Sequence, residues 1–506
     1  MGLILLFISF IISALPSLFL SAPPVEDALG TMGAAAYLAG YDWSSFLSTD
    51  GFFYKYGMTC FYLPAFLFIK DPVIRYKFLL CCNSALDAFI PVLIFRISKK
   101  HFGFEKEESF WLSLICGMMP SVLLYTKYTW AEPALFLVPW VIIYLLLELY
   151  SAGTDSGRKK NMLSATLGFI CVYAFMCHQR GIIIVLSTLL TLLLIRIMAK
   201  RTLVSGRFFG ISFIVSILLD RVCNHLLREY VYLGIKPAYN LLDSFFDPQL
   251  YRELFSLSGQ IVLIKSFCGW MMNVCVSGMG ITMIGIIAGT VSVFGFASRR
   301  SKGASLERFS IISLFSLLTF AGAFLLGLLF FFRTAMAYWD GTAVSRCDHL
   351  VFGRYLESMY PVLMYMGTYS LIAKKERITP KSVYPATALY MFFSLYFGVR
   401  IAPAMKGADC YVHSLMSMNY CFDARSVTMT QDVIDNLPTA LIIACIVSFI
   451  IFVIILVLSH SGNFRLCAMI LLSCFLYIYV VSFVNIILKV DACCATRYAT
   501  FYLGYG

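Results

Sequence analysis

Charge is scarce in this sequence: 13% of its 506 residues are Asp, Glu, Lys or Arg, while 60% are hydrophobic. Soluble domains carry about 25% charged residues. A chain this poor in charge cannot clothe a water-facing surface, which excludes a soluble globular protein. Histidine is also rare, with six scattered residues, and none joins carboxylates or cysteines at metal-ligand spacing. No metal or other cofactor is therefore expected. The 17 cysteines form no paired CxxC motif, and most sit in apolar runs, where Cys behaves as a small buried hydrophobe. Cys410 and Cys421 share one polar stretch and could form a disulfide or remain two thiols. No repeat of 20–50 residues and no low-complexity tract occurs, so solenoid and propeller architectures are excluded.

What the chain has instead is apolar length. Runs of about 18–25 residues recur from end to end, enough to cross about 30 Å of hydrocarbon. They lack period-2 alternation, so helices rather than a barrel are implied. The expected fold is all-α and polytopic, with about thirteen spans: 3–21, 76–97, 109–127, 131–150, 162–178, 180–198, 208–222, 273–297, 310–332, 357–374, 383–399, 437–458 and 466–489. The first lacks a basic n-region and is too long for a signal-peptide core, so it reads as a retained helix. Met58 to Ile69 is too short to span and reads as interfacial or re-entrant.

Charge sets the sidedness. With the N-terminus cytoplasmic and 58–69 not spanning, one set of connections becomes cytoplasmic. They carry Arg96/Lys99/Lys100/Lys106, Arg158/Lys159/Lys160, Lys200/Arg201/Arg207, Arg299/Arg300/Lys302/Arg308 and Lys374/Lys375/Arg377/Lys381. That obeys the positive-inside rule, and the net charge of +12 reflects topology rather than nucleic-acid binding. The longer, more polar connections fall outside: 22–75 with interfacial helices, 223–272 with an interfacial segment, 333–356 and 400–436. Together with the spans they form one transmembrane domain, 1–506.

The first external loop holds the densest chemistry. Pro23-Pro24 before Val25-Glu26-Asp27 is a helix-start signal, and the helix dipole favours ionised Glu26 and Asp27. A fixed carboxylate at the lipid interface suits a general base, although acids in a first helical turn are also ordinary. Asn83 and Asp87, four apart within a span, share a helix face as a buried pair or a cavity lining.

The order P24-V25-E26-D27, AAAYLAGYDWS, FFYKYG resembles the P-x-acid-acid and aromatic-Lys elements of the GT-C superfamily. These are polytopic glycosyltransferases, here closest in pattern to the protein O-mannosyltransferase and aminoarabinose transferase relatives of bacterial type. Trp130-Ala131-Glu132 and Cys347-Asp348-His349 with Gly353-Arg354-Tyr355-Leu356-Glu357 resemble bacterial members as well. The acid pair is Glu-Asp here where those relatives carry Asp-Glu, which leaves open which member is catalytic.

The resemblance implies a multi-pass enzyme of the cell-envelope membrane with an external catalytic loop. It would transfer a monosaccharide, hexosyl or pentosyl, from a polyprenyl-phosphate donor to a hydroxyl acceptor, with inversion. The acceptor could be an envelope glycan, a lipid or a protein. Glu26 or Asp27 would be the base. Lys55 beside Tyr54 would hold the donor phosphate with Arg180 and Arg354. The duller readings are a snorkelling lysine, a hairpin cap and a pair with Glu357. Asp42, Trp43, Glu132, Asp348 and His349 would touch sugar or acceptor, against ordinary turn and helix-start roles. The rival functions are a lipid or oligosaccharide transporter or flippase, which would need repeats and mid-membrane sites, and an envelope-polymer polymerase or ligase.

Overall fold

A computed structural model describes residues 1–152, 157–236, 245, 247–299, 307–341, 346–372, 380–405, 409–423, 431–433, 436–493 and 497–505. Parts of three expected external loops (237–244, 342–345, 424–430) lie outside the described residues, as do Arg300, Lys302, Lys374, Lys375 and Arg377.

The apolar runs become helices, as the bilayer argument requires. In order they are α1 (Gly2–Ser17), α2 (Glu26–Leu38), α3 (Ser44–Thr49), α4 (Thr59–Phe68), α5 (Pro72–His101), α6 (Lys106–Gly117) and α7 (Pro120–Tyr125). Then follow α8 (Glu132–Ala152), α9 (Gly157–Cys177), α10 (Ile182–Ala199), α11 (Gly206–Leu226), α12 (Pro248–Leu254), α13 (Leu257–Ser277) and α14 (Ile281–Arg299). The chain continues through α15 (Arg308–Trp339), α16 (Tyr360–Ile372), α17 (Pro380–Tyr396), α18 (Leu437–His460), α19 (Phe464–Ser482), α20 (Leu488–Ala492) and α21 (Arg497–Tyr505). Two short strands, β1 (Asp409–Tyr411) and β2 (Gln431–Val433), pair antiparallel with Cys410 opposite Asp432. Eleven helical segments among the described residues are long and apolar enough to cross a membrane.

Two expected spans are broken. The run 109–127 divides at Met118–Met119, where Pro120 opens α7 as its first residue. The run 273–297 divides at Gly278–Gly280, where Met279 and Gly280 take positive φ of 46° and 74°. Upstream of that break, α13 occupies Leu257–Ser277, so the stretch expected as the end of loop 223–272 is one regular helix. Yet α13 and α14 together make a single descent along α15. A side chain at Gly259 would meet Phe332, one at Gly327 would meet Trp270, and one at Gly289 would meet Leu317 and Ser313. Ser292 then hydrogen-bonds Ser310 at 2.8 Å. Counted as one path, joined to α6–α7 and the shorter α1 and α16, the bundle makes about thirteen passes. α15 itself continues to Trp339, seven residues into the expected loop 333–356.

The basic connections converge on one end of the bundle. Glu148 near the end of α8 binds Lys100, His101 (3.1 Å) and Lys159 (3.2 Å). Arg201 and Arg308 lie over the ring of Tyr150 at 4.4 and 5.9 Å. Phe102 and Phe309 both contact Tyr369 near the end of α16. The opposite end carries the first loop. There α4 spans ten residues, about 15 Å and too short to cross. Trp43 is buried against Phe66, Phe501 and Tyr502, so α21 closes over the first loop.

Candidate active site

Glu132 opens α8 at the end opposite Glu148. Its position is built by a buried turn. Asn83 on α5 donates to Tyr128 O at 2.7 Å and accepts from the Tyr62 hydroxyl at 2.8 Å. Thr129 donates to Ala28 O of α2 at 3.0 Å, which ties that turn to the helix bearing the acid pair. Asn83 is thus a scaffold for the site. Its neighbour Asp87 is buried with neither carboxylate oxygen hydrogen-bonded among the described residues.

Onto this turn converge two arginines distant in sequence. Arg180 NH2 donates to Glu132 Oε1 at 2.6 Å, and Arg354 Nε donates to the same oxygen at 2.7 Å. Arg354 NH1 reaches Asp27 Oδ2, also at 2.7 Å. The guanidinium of Arg354 lies 3.9 Å from the ring centroid of Trp130, and that of Arg180 lies 4.3 Å from that of Tyr355. The chain Asp27–Arg354–Glu132–Arg180 therefore alternates in sign and balances in charge. Arg354 does not take Glu357, whose Oε1 accepts from Ser417 N at 2.9 Å. Arg180 also donates to Arg354 O at 3.4 Å, and its backbone N–H donates to His178 Nδ1 at 3.1 Å.

Below Arg180 an apolar crevice opens between α8, α10 and α15. Leu135, Ile183, Ile184, Ala323 and Leu326 line it, with Arg180 and Tyr355 at its head. A guanidinium at the head of an apolar crevice is suited to an anionic headgroup with an apolar tail.

The adjacent acids Glu26 and Asp27 live in opposite surroundings. Burial pushes the Asp27 carboxyl up, but the charge and hydrogen bond of Arg354 outweigh it and hold it below its ordinary value. Burial, then the Asp27 charge, push Glu26 above its ordinary value, with a hydrogen bond from Tyr498 of α21 opposing. Asp50 accepts from the Tyr54 hydroxyl at 2.9 Å, and burial lifts it to about 6. The Tyr54 ring lies against Gly30, where any Cβ would sit 2.0 Å from it, so only glycine permits this approach.

Lys55 turns the other way. It binds Asp220 of α11 at 2.8 Å, lies 3.9 Å from the Phe175 ring centroid, and shares Asp220 with Tyr56. Burial draws its ammonium below the usual range while Asp220 opposes. The structure thus gives Lys55 a carboxylate partner on another helix rather than a place beside Arg354.

Asp42 accepts from the backbone and hydroxyl of Ser44 at the start of α3, while Trp43 fills the core described above. Asp348 pairs with Arg346 at 2.8 Å and accepts from the Ser414 hydroxyl. Burial would raise Asp348, but Arg346 outweighs it and holds the carboxyl at about 2. His349 is buried, stacked 4.5 Å from Phe331. Cys410 and Cys421 are both free, with the Cys421 thiol directed at Ala440 O. No group of three or more metal-ligating side chains occurs among the described residues.

Two participants, His413 and Tyr498, escaped the sequence reading, and two more, Asp50 and Asp220, were given no part in the transfer site. His413 stands edge-on to Trp130 at 5.7 Å, and burial, then Arg354, lower it to about 3, so it is neutral. Nothing local marks His413. Asp50 lay within the loop but carried no distinguishing spacing, and Tyr498 belongs to a remote helix. Asp220 did carry a signal, an ionisable residue inside an apolar span.

Fold and cluster define a polytopic helical membrane protein with a buried charged site at the end of the bundle opposite its basic connections. No protein-family model matches the chain, and no curated protein matches it. Among solved structures, it is similar to ArnT from Cupriavidus metallidurans bound to undecaprenyl phosphate. That likeness has a TM-score of 0.49 and 9% identity over 97% of this chain and 77% of that one. At that identity no residue role is carried across.

Proposed function

We propose that the protein is a membrane glycosyltransferase that moves one sugar from a polyprenyl-phosphate donor to a hydroxyl acceptor at the non-cytoplasmic face. The observation that carries this reading is Arg180 at the head of the apolar crevice, joined through Glu132 to Arg354 and so to Asp27 of the first loop. A polyprenyl phosphate needs both parts, cations for the phosphate oxygens and a hydrocarbon groove for the chain.

In the proposed reaction the acceptor hydroxyl attacks the anomeric carbon as the carbon–oxygen bond to phosphate breaks. The acceptor proton passes to a carboxylate, and the polyprenyl phosphate leaves against the guanidinium groups. Displacement on the face opposite the leaving group inverts the anomeric centre. Glu26 is the better base, because its raised pKa lies nearer neutral pH than that of an ion-paired acid. Asp27, held by Arg354, orients that arginine. Lys55 would reach the phosphate only by leaving Asp220, so it joins the donor site as an exchangeable ligand. Asp348, with its Arg346 and Ser414 partners, supports the segment bearing Arg354. No step calls for a metal or cofactor.

Transport fits less well, since transporter sites lie near mid-membrane. Here Glu132 and Arg180 stand at helix starts, and Asp27 and Arg354 stand in the connections. The test is transfer by the purified protein in lipid nanodiscs from polyprenyl-phosphate-linked labelled sugars. Acceptor-dependent release of polyprenyl phosphate is expected. A folded protein that transfers nothing from any such donor would overturn the reading.

A further inference from the structure

Two buried cysteines outside the charged cluster lie side by side. Cys347 opens a short 3-10 turn (Cys347–Leu350), Cys410 is the middle residue of β1, and both are fully buried. Their flanking residues interlock. Arg346 lies 4.4 Å from the ring centroid of Tyr411 and donates to the Ser414 hydroxyl at 3.4 Å, while that hydroxyl donates to Asp348. The neighbours of Cys347 on both sides thus grip the residues just past Cys410, and both thiols are free in the structure. Arg346 is held at φ 78°, a conformation uncommon for a non-glycine residue.

The compartment is the second consideration. These segments adjoin Arg354, at the end opposite the Glu148 hub where the basic connections meet. The positive-inside rule makes that hub cytoplasmic and this end external, where disulfides form and persist.

We propose that Cys347 and Cys410 form a disulfide that staples the 346–350 segment to the 409–414 segment. The bond forms by exchange with a disulfide oxidant, protein or small molecule, before the two segments bury each other. One cysteine thiolate attacks the oxidant, expels one of its sulfurs as a thiolate and leaves a mixed disulfide. The second cysteine thiolate then attacks the first cysteine's sulfur and releases the other oxidant sulfur. Two cysteine thiols are oxidised, one oxidant disulfide is reduced to two thiols, and the two protons pass to them. The staple fixes the Ser414 carbonyl, which accepts from Gly353 N at 2.9 Å and Arg354 N at 3.4 Å, and so steadies the backbone that presents Arg354.

The staple does not depend on the transfer reaction, so an inactive protein leaves it standing. Its test uses full-length protein in membranes from its own envelope. The sample is denatured in N-ethylmaleimide, digested without reductant and mapped by mass spectrometry. The expected result is a linked peptide pair through Cys347 and Cys410 that disappears on reduction, with Cys421 alkylated. Alkylation of both Cys347 and Cys410 before reduction overturns the proposal, as does linkage of Cys410 to Cys421. The measurement needs only the wild-type protein. In Cys347→Ser, whether or not it folds, Cys410 gains the alkyl label.

Discussion

Helix α8 carries a glutamate near each end, and the two are used differently. Glu148 gathers Lys100, His101 and Lys159, but both lysines are more than half exposed, at 53% and 55%. Glu132 gathers Arg180 and Arg354, whose side chains are 7% and 11% exposed. Solvated lysines cost little to assemble and add little, as surface pairs usually do. Buried arginines sharing one carboxylate oxygen are costly to desolvate and persist only when their partners are complete. The first arrangement is an anchor that marks a membrane face. The second holds charge out of water.

That contrast can be broken most severely at Arg354. Arg354→Ala would leave Asp27 and Glu132 short of their shared cation. We expect a loss of about 3–5 kcal/mol, as for breaking other buried pairs, seen as a lower midpoint of thermal unfolding in detergent, together with loss of transfer.

Glu26→Gln sharpens the comparison by removing a carboxylate that no arginine holds. Folding should survive while the transfer rate falls about 10²–10⁴-fold, the usual worth of a general base. Equal rates for Glu26→Gln and wild type would move the base to Asp27 or Asp50.

The pH profile supplies a finer test. Because the base must be ionised, transfer should fall as pH drops through the raised pKa of Glu26, while Asp27 stays ionised beside Arg354. Ionised Asp50 and ionised Glu26 repel each other. Stability has its own sign. Asp50 has a folded value of about 6 against 3.8 ordinarily, so the native state binds its proton more tightly. Its contribution is therefore stabilising at low pH and is lost as pH rises through that window. Asp50→Asn should flatten that slope in unfolding measurements.

The smallest effect is expected at the other end of α8. Glu148→Gln should cost less stability than Arg354→Ala, because both of its lysines are solvated, and leave the transfer rate unchanged in the same assay.

Hydropathy alone exposed the polytopic helical fold, because every pass had to be apolar whatever its neighbours. It could not show where a pass breaks, since Ser277-Gly278-Met279-Gly280 and Met118-Met119-Pro120 sit inside runs that stay apolar. The glycine pair and the proline were the available signals of interruption. In the site, residue types were legible and partnerships were not. Asp27 and Glu26 are neighbours in sequence, yet one meets Arg354 and the other Tyr498. Lys55 was placed by motif beside a phosphate, while its partner Asp220 stands 165 positions away on α11. No local pattern encodes such long-range pairs.

Tyr498 on α21 meets Glu26, and Phe501 and Tyr502 pack on Trp43. A ribosome makes these residues long after the loop they cover. The surroundings of Glu26 and Trp43 are therefore incomplete on the nascent chain until α21 has docked. A bulky fusion attached beyond Tyr505 would interfere with that late docking sooner than with insertion of the bundle.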